Sequence, residues 1–197
     1  MKTIEQILSQ VPDKRKDKDT TSHKFKNDLY DFFREDKWRE RSILEVSCSR
    51  GYSSYLLSHL FKQVYAVDYE IDLLDFASKF NQDRGRKNIQ FIRCDIYRAP
   101  YWNRLPSADV VFLDADHRYK SVVYDIRNAW TQSLYQGGYI IIDDYGLPGS
   151  GVFRAVNDLV KENKNLRLVQ YIGEPAGSDC RSGRKLIHWE GLILRYE

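Results

Sequence analysis

The sequence predicts an α/β fold built on a mostly parallel sheet with helices on both faces. Short apolar segments alternate along the chain with longer amphipathic ones, which is the pattern of strands and crossover helices. Several of the short segments are apolar throughout, as in strands that are buried on both faces. The last two apolar segments have no helix between them and predict an antiparallel hairpin at one edge of the sheet.

The sequence predicts that residues 1–40 form a helical segment, which packs on a main domain formed by residues 41–197. We therefore expect a single domain overall. Two amphipathic helices are expected in this segment, at 1–10 and 22–36, with Ser22 as a candidate N-cap. The segment is a candidate substrate lid or oligomer contact, and a homodimer is a further expectation.

The main domain alternates strands with helices. We expect parallel strands at 43–46, 63–67, 88–93, 109–113 and 138–142, helices at 52–61, 70–82, 119–135 and 152–163, and closing strands at 166–172 and 191–196. Elements of these lengths fit one α/β domain of ordinary size.

The composition limits the partners and the compartment. The net charge of +3 does not require a nucleic-acid partner, and the mixed-sign run 14–19 favours a solvated linker over a basic recognition arm. No apolar stretch is long enough to cross a membrane, and Glu5 interrupts the N-terminus where a signal peptide is continuously apolar. Three cysteines without pairing spacing indicate free thiols in a reducing, cytoplasmic environment.

Acidic residues follow two of the predicted strands directly. Asp114 and Asp116 come after one strand, and Asp143 and Asp144 come after the next. Ligands bind beyond the carboxyl ends of strands in open α/β sheets, so these side chains are expected around one crevice. Carboxylates that close repel one another unless a cation or a proton lies among them, which predicts a divalent-metal site beside a bound cofactor. The alternative is that Asp143 or Asp144 caps the turn that follows.

The first strand leads through a tight loop, residues 45–54, into a helix, and such a helix N-terminus favours a carboxylate or a phosphate. Asp68 ends the second strand about twenty residues later, a spacing that suits hydrogen bonds to ribose hydroxyls. Asp95 follows the third strand as another acidic tip on the same side.

On these motifs, from about Ile43 to Val160, the chain resembles the class I S-adenosylmethionine-dependent methyltransferases. Among them it is most similar to cation-dependent O-methyltransferases of the caffeoyl-CoA and catechol type and to sugar and macrolide O-methyltransferases. The resemblance implies a Rossmann-like, doubly wound, seven-stranded sheet, S-adenosylmethionine as cofactor and Mg²⁺ or another divalent cation. It implies metal ligation by Asp114, Asp143 and Asp144. The residues that it implies for the cofactor are Glu45, Ser47, Cys48, Gly51, Tyr52, Ser53, Asp68, Tyr69, Asp95, Ile96 and Asp114.

Two loop positions depart from the family pattern, because Ser47 and Ser49 stand where relatives have glycine. Glycine permits a positive φ and a close approach of the backbone to a ligand, whereas serine adds a Cβ and a hydroxyl. The hydroxyl of Ser47 could instead donate a hydrogen bond to the cofactor carboxylate.

The chemistry requires a deprotonated acceptor hydroxyl, since a protonated hydroxyl is a poor nucleophile. A hard cation held by carboxylates, such as Mg²⁺, lowers the pKa of a coordinated oxygen. Asp116 is the favoured base because relatives use an aspartate or a lysine in this neighbourhood, and His117 is the alternative. Lys120 lies one helical turn after Asp116 and is a candidate for tuning it or for contacting the substrate.

The predicted acceptor is a small hydroxylated molecule such as a sugar, a phenol or a natural product. The walls of the acceptor-binding site are expected to be formed by aromatic residues and by a mobile flap at 146–151. Two other functions remain open: a nucleic-acid methyltransferase, and a non-catalytic protein that binds S-adenosylmethionine. The aromatic candidates are Phe25, Tyr30, Trp38, Tyr119 and Tyr145.

Overall fold

The computed structural model describes residues 2–13, 20–98, 101–180 and 184–197. The charged run 14–19 lies outside the described residues. The strands are β1 Ser42–Val46, β2 Gln63–Asp68, β3 Ile89–Arg93, β4 Ala108–Leu113, β5 Leu134–Ile142, β6 Leu166–Ile172 and β7 Gly191–Tyr196. The helices are α1 Ile4–Leu8, α2 His23–Phe33, α3 Tyr52–Leu60, α4 Ile71–Gln82, α5 Tyr119–Asn128 and α6 Val152–Glu162.

The strands form one seven-stranded sheet in the order β3-β2-β1-β4-β5-β7-β6. Strands β1 to β5 pair in parallel, whereas β7 is antiparallel to both of its neighbours, β5 and β6. The predicted Rossmann-like doubly wound sheet, with its C-terminal antiparallel hairpin at one edge, is therefore confirmed.

Alternate residues of the central strands enter two separate hydrophobic clusters. In β4, Val111 and Leu113 belong to the cluster that contains α5 and α6 residues, whereas Val110 and Phe112 belong to the cluster that contains α1, α2 and α3 residues. Successive side chains of a strand point to opposite faces, so each central strand is covered on both sides. This explains why these strands are apolar throughout.

The N-terminal segment packs on the second of these clusters. Ile7, Phe25 and Phe33 are fully buried in it together with residues of the sheet. The hydroxyl of Ser22 accepts a hydrogen bond from the backbone N–H of Phe25, as the predicted N-cap requires. Of the described residues, no helix has the length and apolar character needed to cross a bilayer.

One predicted helix is wrong at its end. The helix expected at 119–135 ends as α5 at Asn128, and a π-helical turn over Ala129–Ser133 leads directly into β5. The strand starts at Leu134, four residues before the predicted start at Gly138, because Leu134 pairs with Ala108 across an irregular stretch of β4. A Cβ on Gly138 would lie 2.7 Å from the carbonyl oxygen of Asp109, so glycine allows the two strands to approach there.

Candidate active site

The register of the parallel strands brings four segments to one edge of the sheet. Val46 pairs with Val67 and with Leu113, and Leu113 pairs with Ile142. This is the edge at which open α/β sheets bind ligands. The residues that follow this row therefore lie along the same edge: Ser47, Asp68, Asp114 and Asp143.

The loop after β1 keeps a glycine-like backbone although it contains serines. Ser47 has φ 68° and Ser49 has φ 47°, both in the left-handed region, and Gly51 has φ 69°. The backbone N–H groups of Ser47 and Cys48 both donate to the carbonyl oxygen of Val67, at 2.8 and 2.9 Å. These bonds to β2 hold the loop in a conformation that costs about 1 kcal/mol or more for each serine.

Asp68 fixes the loop from the neighbouring strand. Its Oδ2 accepts a hydrogen bond from the N–H of Ser49 at 2.9 Å, and its Oδ1 accepts one from the N–H of Glu70 at 3.1 Å. Each carboxylate oxygen keeps a second lone pair for another donor. Asp68 therefore organises the loop and can still accept hydrogen bonds from a ligand.

Glu45 lies beneath this edge and is 1% exposed. Burial raises its pKa to about 7, against hydrogen bonds from Ser54 and Ser53, and the charges of Asp114 and Asp68 raise it further. Because burial is the largest cause, the Glu45 carboxyl group keeps its proton up to about neutral pH.

A first cavity of about 400 Å³ opens above the loop, within the size range of small-molecule sites. Five of the predicted cofactor residues line it, namely Ser47, Asp68, Tyr69, Asp95 and Ile96. The other six lie outside this lining, namely Glu45, Cys48, Gly51, Tyr52, Ser53 and Asp114. The Cys48 thiol is buried, and burial raises its pKa, so it remains a small protonated group.

Sequence reasoning missed Tyr97, which lines the first cavity beside Asp95. Its hydroxyl donates to the carboxylate of Asp125 at 2.9 Å and accepts from the backbone N–H of Asp116 at 3.1 Å. Burial raises the pKa of Asp125 to about 7, with a hydrogen bond from Tyr97 opposing the shift. Only the position of Tyr97, two residues after an acidic strand tip, could have indicated a role in the site.

Three side chains could hold a metal ion at the tips of β4 and β5. Asp114, His117 and Asp144 each offer one ligand atom, and these atoms lie within 4.8 Å of one another. His117 Nε2 is 3.1 Å from Asp144 Oδ2 and 3.8 Å from Asp114 Oδ1. Hydrogen bonding to Asp114 raises the pKa of His117 against the opposing effect of burial, and the charge of Asp144 adds to it.

Asp143 is not a member of this group of three. It lines a small cavity of about 20 Å³ together with Asp114, His117 and Asp125. Asp144 is fully buried and has φ 54°, a left-handed backbone that aspartate adopts more readily than most residues. Of the three predicted ligands, Asp114 and Asp144 therefore lie in one group with His117, and Asp143 lies outside it.

Asp116 is occupied by its own neighbours. Ser121 donates to its carboxylate at 2.8 Å, and Arg118 contributes its backbone N–H at 3.0 Å and an ion pair from its guanidinium. Burial raises the pKa of Asp116, but the hydrogen bonds from Arg118 and Ser121 outweigh it and lower the pKa to about 2. Such a carboxylate is a weak base. Lys120 is exposed and lies outside the lining of both large cavities.

A second cavity of about 570 Å³ adjoins the first and shares Asp116 with it. His117 and Tyr119 line it, as do residues 147–151 of the predicted flap. Three of the aromatic candidates lie elsewhere. Phe25 is fully buried in the core and Tyr30 packs against the same cluster, whereas Trp38 lines a cavity with Asp109, which is at the amino end of β4. Tyr145 is 2% exposed, so it supports the wall from within the core.

Comparison with known proteins identifies the family. A family model described as a methyltransferase domain matches residues 44–145, from β1 to the residue after Asp144, which is more than half of the chain. The chain belongs to this methyltransferase family. The expected membership in the class I S-adenosylmethionine-dependent methyltransferases, the resemblance to O-methyltransferases and the expectation of an enzyme are confirmed.

Solved methyltransferase structures share the fold of this methyltransferase. The O-methyltransferase TomG from Streptomyces achromogenes, in complex with S-adenosylmethionine, has a TM-score of 0.68 and 16% identity, over 96% of this chain and 88% of its own. The O-methyltransferase from Bacillus cereus, in complex with S-adenosylhomocysteine, has a TM-score of 0.67 and 16% identity, over 98% and 90% of the two chains. The tRNA (m1A58) methyltransferase TrmI from Aquifex aeolicus has a TM-score of 0.64 and 15% identity, over 99% and 76%.

A curated relative matches a smaller part of the chain. The uncharacterized protein R132 of Acanthamoeba polyphaga mimivirus is 37% identical over 62 residues, which are 29% of this chain and 28% of that protein. The match therefore spans less than a third of either protein.

Proposed function

We propose that this methyltransferase transfers a methyl group from S-adenosylmethionine to a hydroxyl group of a small molecule, with the help of a divalent cation. The observation that supports this most directly is the position of the group Asp114, His117 and Asp144. Of these three, His117 lines the second cavity, which shares Asp116 with the first cavity and its predicted cofactor residues.

The first cavity fits a nucleoside-containing donor. Asp68 and Asp95 would accept hydrogen bonds from the ribose and the adenine, and Ser47 would contact the methionine part beside the loop. Ile96 supplies an apolar wall next to Asp95. When bound, S-adenosylmethionine supplies the electrophilic methyl group, as a complex of TomG with that molecule supports by analogy.

The group at the tips of β4 and β5 fits a divalent cation. Two carboxylates whose atoms lie this close to one another favour a cation between them, and the carboxylate of Asp143 lines the cavity beside them. Asp114, Asp144 and Asp143 would hold Mg²⁺ or Mn²⁺, which when bound lowers the pKa of a coordinated hydroxyl.

We assign the role of general base to His117 rather than to Asp116. His117 lines the second cavity, where the acceptor would lie, and an imidazole titrates near neutral pH. Asp116 also lines that cavity, but Arg118 and Ser121 already occupy its carboxylate and keep it ionised. Asp116 would therefore position Arg118 and the start of α5, and Lys120 would have no direct part.

The proposal is tested with Asp114→Asn. We expect turnover of S-adenosylmethionine against a panel of sugars and phenols to fall by at least about 100-fold, because the cation site loses a ligand. The dissociation constant of S-adenosylhomocysteine, measured by calorimetry, should change by less than about 3-fold, or roughly 0.7 kcal/mol.

The matched control is Asp83→Asn, which removes an exposed carboxylate on the far end of α4 that pairs with Lys79. It should leave both quantities unchanged. Full turnover by Asp114→Asn, or turnover by the wild type that is unaffected by EDTA, would contradict the cation site. A wild-type protein that does not bind S-adenosylhomocysteine would contradict the donor.

A nucleic-acid acceptor is the alternative, since a tRNA methyltransferase has the same fold. Binding of oligonucleotides that weakens steeply with salt would support it. A cytoplasmic location and a homodimer stay predictions.

A further inference from the structure

The second cavity carries unneutralised positive charge on its wall. We propose that the acceptor of this methyltransferase bears an anionic group, a phosphate or a carboxylate, that Arg154 binds while the acceptor hydroxyl lies at His117. This inference rests on the proposed function, because it assigns the substrate class for the same site.

The cation that would bind this anionic group is Arg154. It belongs to the first turn of α6 and lines the second cavity together with His117. Its Cζ lies 4.1 Å from the ring centroid of Tyr119, which holds the guanidinium in place through a cation–π contact. Tyr119 is in turn fixed by a hydrogen bond of 3.0 Å from its hydroxyl to Asp158. The guanidinium therefore lies against a ring that is itself anchored to α6.

Arg154 differs from the other arginine of the cavity wall in its partners. Arg118 is neutralised by its ion pair with Asp116. Within the part of the chain that the structure describes, Arg154 makes no ion pair with a carboxylate. An exposed guanidinium that makes no ion pair and lies on the wall of a cavity can bind a phosphate or a carboxylate.

Other groups around the flap point to the same ligand chemistry. The hydroxyl oxygen of Ser150 is buried at the cavity wall and has no hydrogen-bond partner among the described residues. Arg184 lies near the flap, with Nη1 3.6 Å from the place that a Cβ on Gly149 would occupy. Helix α6 starts just after Gly151, so its N-terminal dipole adds positive potential.

The lining of the second cavity offers two separate contacts to one acceptor molecule. One part of its lining is His117, next to the carboxylates that would hold the cation, and another part is Arg154 with the flap. An acceptor with a hydroxyl and an anionic group could therefore be oriented by two contacts, one at His117 and one at Arg154. Orientation of a substrate through a charged group remote from the reacting atoms commonly raises the reaction rate and the specificity of an enzyme.

The test compares three probes of similar size: phenyl phosphate, benzoate and neutral phenol. Their dissociation constants are measured by ligand-observed NMR at low ionic strength, with and without S-adenosylhomocysteine. We expect phenyl phosphate, benzoate or both to bind at least about 10-fold more tightly than phenol, which corresponds to roughly 1.4 kcal/mol. Whichever of the two binds more tightly identifies phosphate or carboxylate as the group.

Arg154→Gln should reduce the binding of the anionic probe to the level of phenol, and Arg154→Lys should restore part of it, because the charge returns without the planar fork. The matched control is Arg127→Gln, on the exposed face of α5, where Arg127 pairs with Glu162. Equal affinity of the wild type for all three probes, or equal losses in Arg154→Gln and Arg127→Gln, would overturn the anion site.

The same experiment separates the two proposals. The titrations without S-adenosylhomocysteine report on the anion site alone, so they are interpretable even if the donor does not bind. Loss of anion binding in Arg154→Gln with an unchanged dissociation constant for S-adenosylhomocysteine supports the anion site and shows that the variant is folded. Unchanged anion binding in Arg154→Gln overturns the anion site and leaves the methyltransferase proposal standing.

Discussion

Two serines in the loop after β1 adopt a backbone conformation that normally favours glycine. Ser47 and Ser49 have φ values of 68° and 47°, and hydrogen bonds from the loop to Val67 and Asp68 hold it there. An L-residue with a Cβ is strained in this region by about 1–2 kcal/mol. The chain therefore tolerates backbone strain beside the first cavity and keeps side chains at two positions of this loop.

This strain predicts that Ser49→Gly stabilises the protein. Ser49 lies outside the lining of the first cavity, so the substitution relieves the backbone without changing that wall. The relief of strain is partly offset by the greater entropy of glycine in the unfolded chain. We expect a net gain in the free energy of unfolding of about 1 kcal/mol and a rise in Tm of about 2–4 °C. Differential scanning calorimetry measures it.

The control for this prediction is Ser9→Gly. Ser9 has φ −63°, an ordinary right-handed value, so glycine brings no relief there and should lower the Tm slightly. An equal rise in both variants, or a fall in Ser49→Gly, would show that the loop is not strained by its serines.

At the level of single residues, the sequence predicts the acids of the site better than their partners. The acidic strand tips follow from periodicity, because a buried strand must end where the apolar residues end. The pairing of Asp116 with Arg118 and Ser121 depends on how the turn before α5 folds back, which no spacing rule gives. Tyr97 and Asp125 are far apart in the chain and meet only through the tertiary fold.

At the scale of elements, Gly51 determines how closely α3 can pack on α4. It is the N-cap of α3, and a Cβ there would lie 2.8 Å from Cβ of Ala77 and 2.9 Å from Nδ2 of Asn81. Asn81 also donates to the carbonyl oxygen of Gly51 at 3.0 Å. The glycine therefore meets two demands at once, a left-handed φ and a short distance between helices.

Gly51→Ala should destabilise the protein by about 3 kcal/mol, from backbone strain of about 1–2 kcal/mol and overpacking of about 1–3 kcal/mol. Gly85→Ala is the matched control, because Gly85 has φ +73° but no atom within 4 Å of the place that a Cβ would occupy. It should show the strain alone, about 1 kcal/mol. Urea denaturation at equilibrium gives both values. Equal losses would mean that the helices shift apart easily and that packing at Gly51 is unimportant.

Element types were predictable here, and element ends were less so. A short run that is apolar throughout, such as residues 109–113, is typical of a strand covered on both faces, so the strand can be identified from composition. The start of β5 depends on the pairing of Leu134 with Ala108 across a bulge, and the π-helical turn before it absorbs the change in direction. Both are outcomes of tertiary packing, which explains why the local pattern extended the helix to 135.

At the scale of the whole molecule, a buried carboxylate joins the two ends of the chain. Glu190 is 1% exposed, immediately before β7. Its carboxylate accepts hydrogen bonds from the N–H of Ser22 at 2.9 Å, from the hydroxyl of Ser22, and from the N–H of Glu174 at 3.0 Å. The start of α2 and the end of β6 therefore depend on a single side chain, which couples the N-terminal segment to the C-terminal hairpin.

Glu190→Ala should therefore destabilise the whole protein and loosen α2 in particular. The two buried donors of Ser22 and the half-buried N–H of Glu174 lose their acceptor, and each buried donor without a partner costs about 1–3 kcal/mol, so a loss of at least about 2 kcal/mol is expected. Hydrogen exchange should show the largest loss of protection at residues 22–33. Glu162→Gln, at an exposed carboxylate of α6 that pairs with Arg127, is the control and should change neither quantity. If protection at residues 22–33 falls no more than elsewhere, Glu190 does not hold α2 in particular, and the N-terminal segment is held by apolar contacts such as those of Phe25 and Phe33.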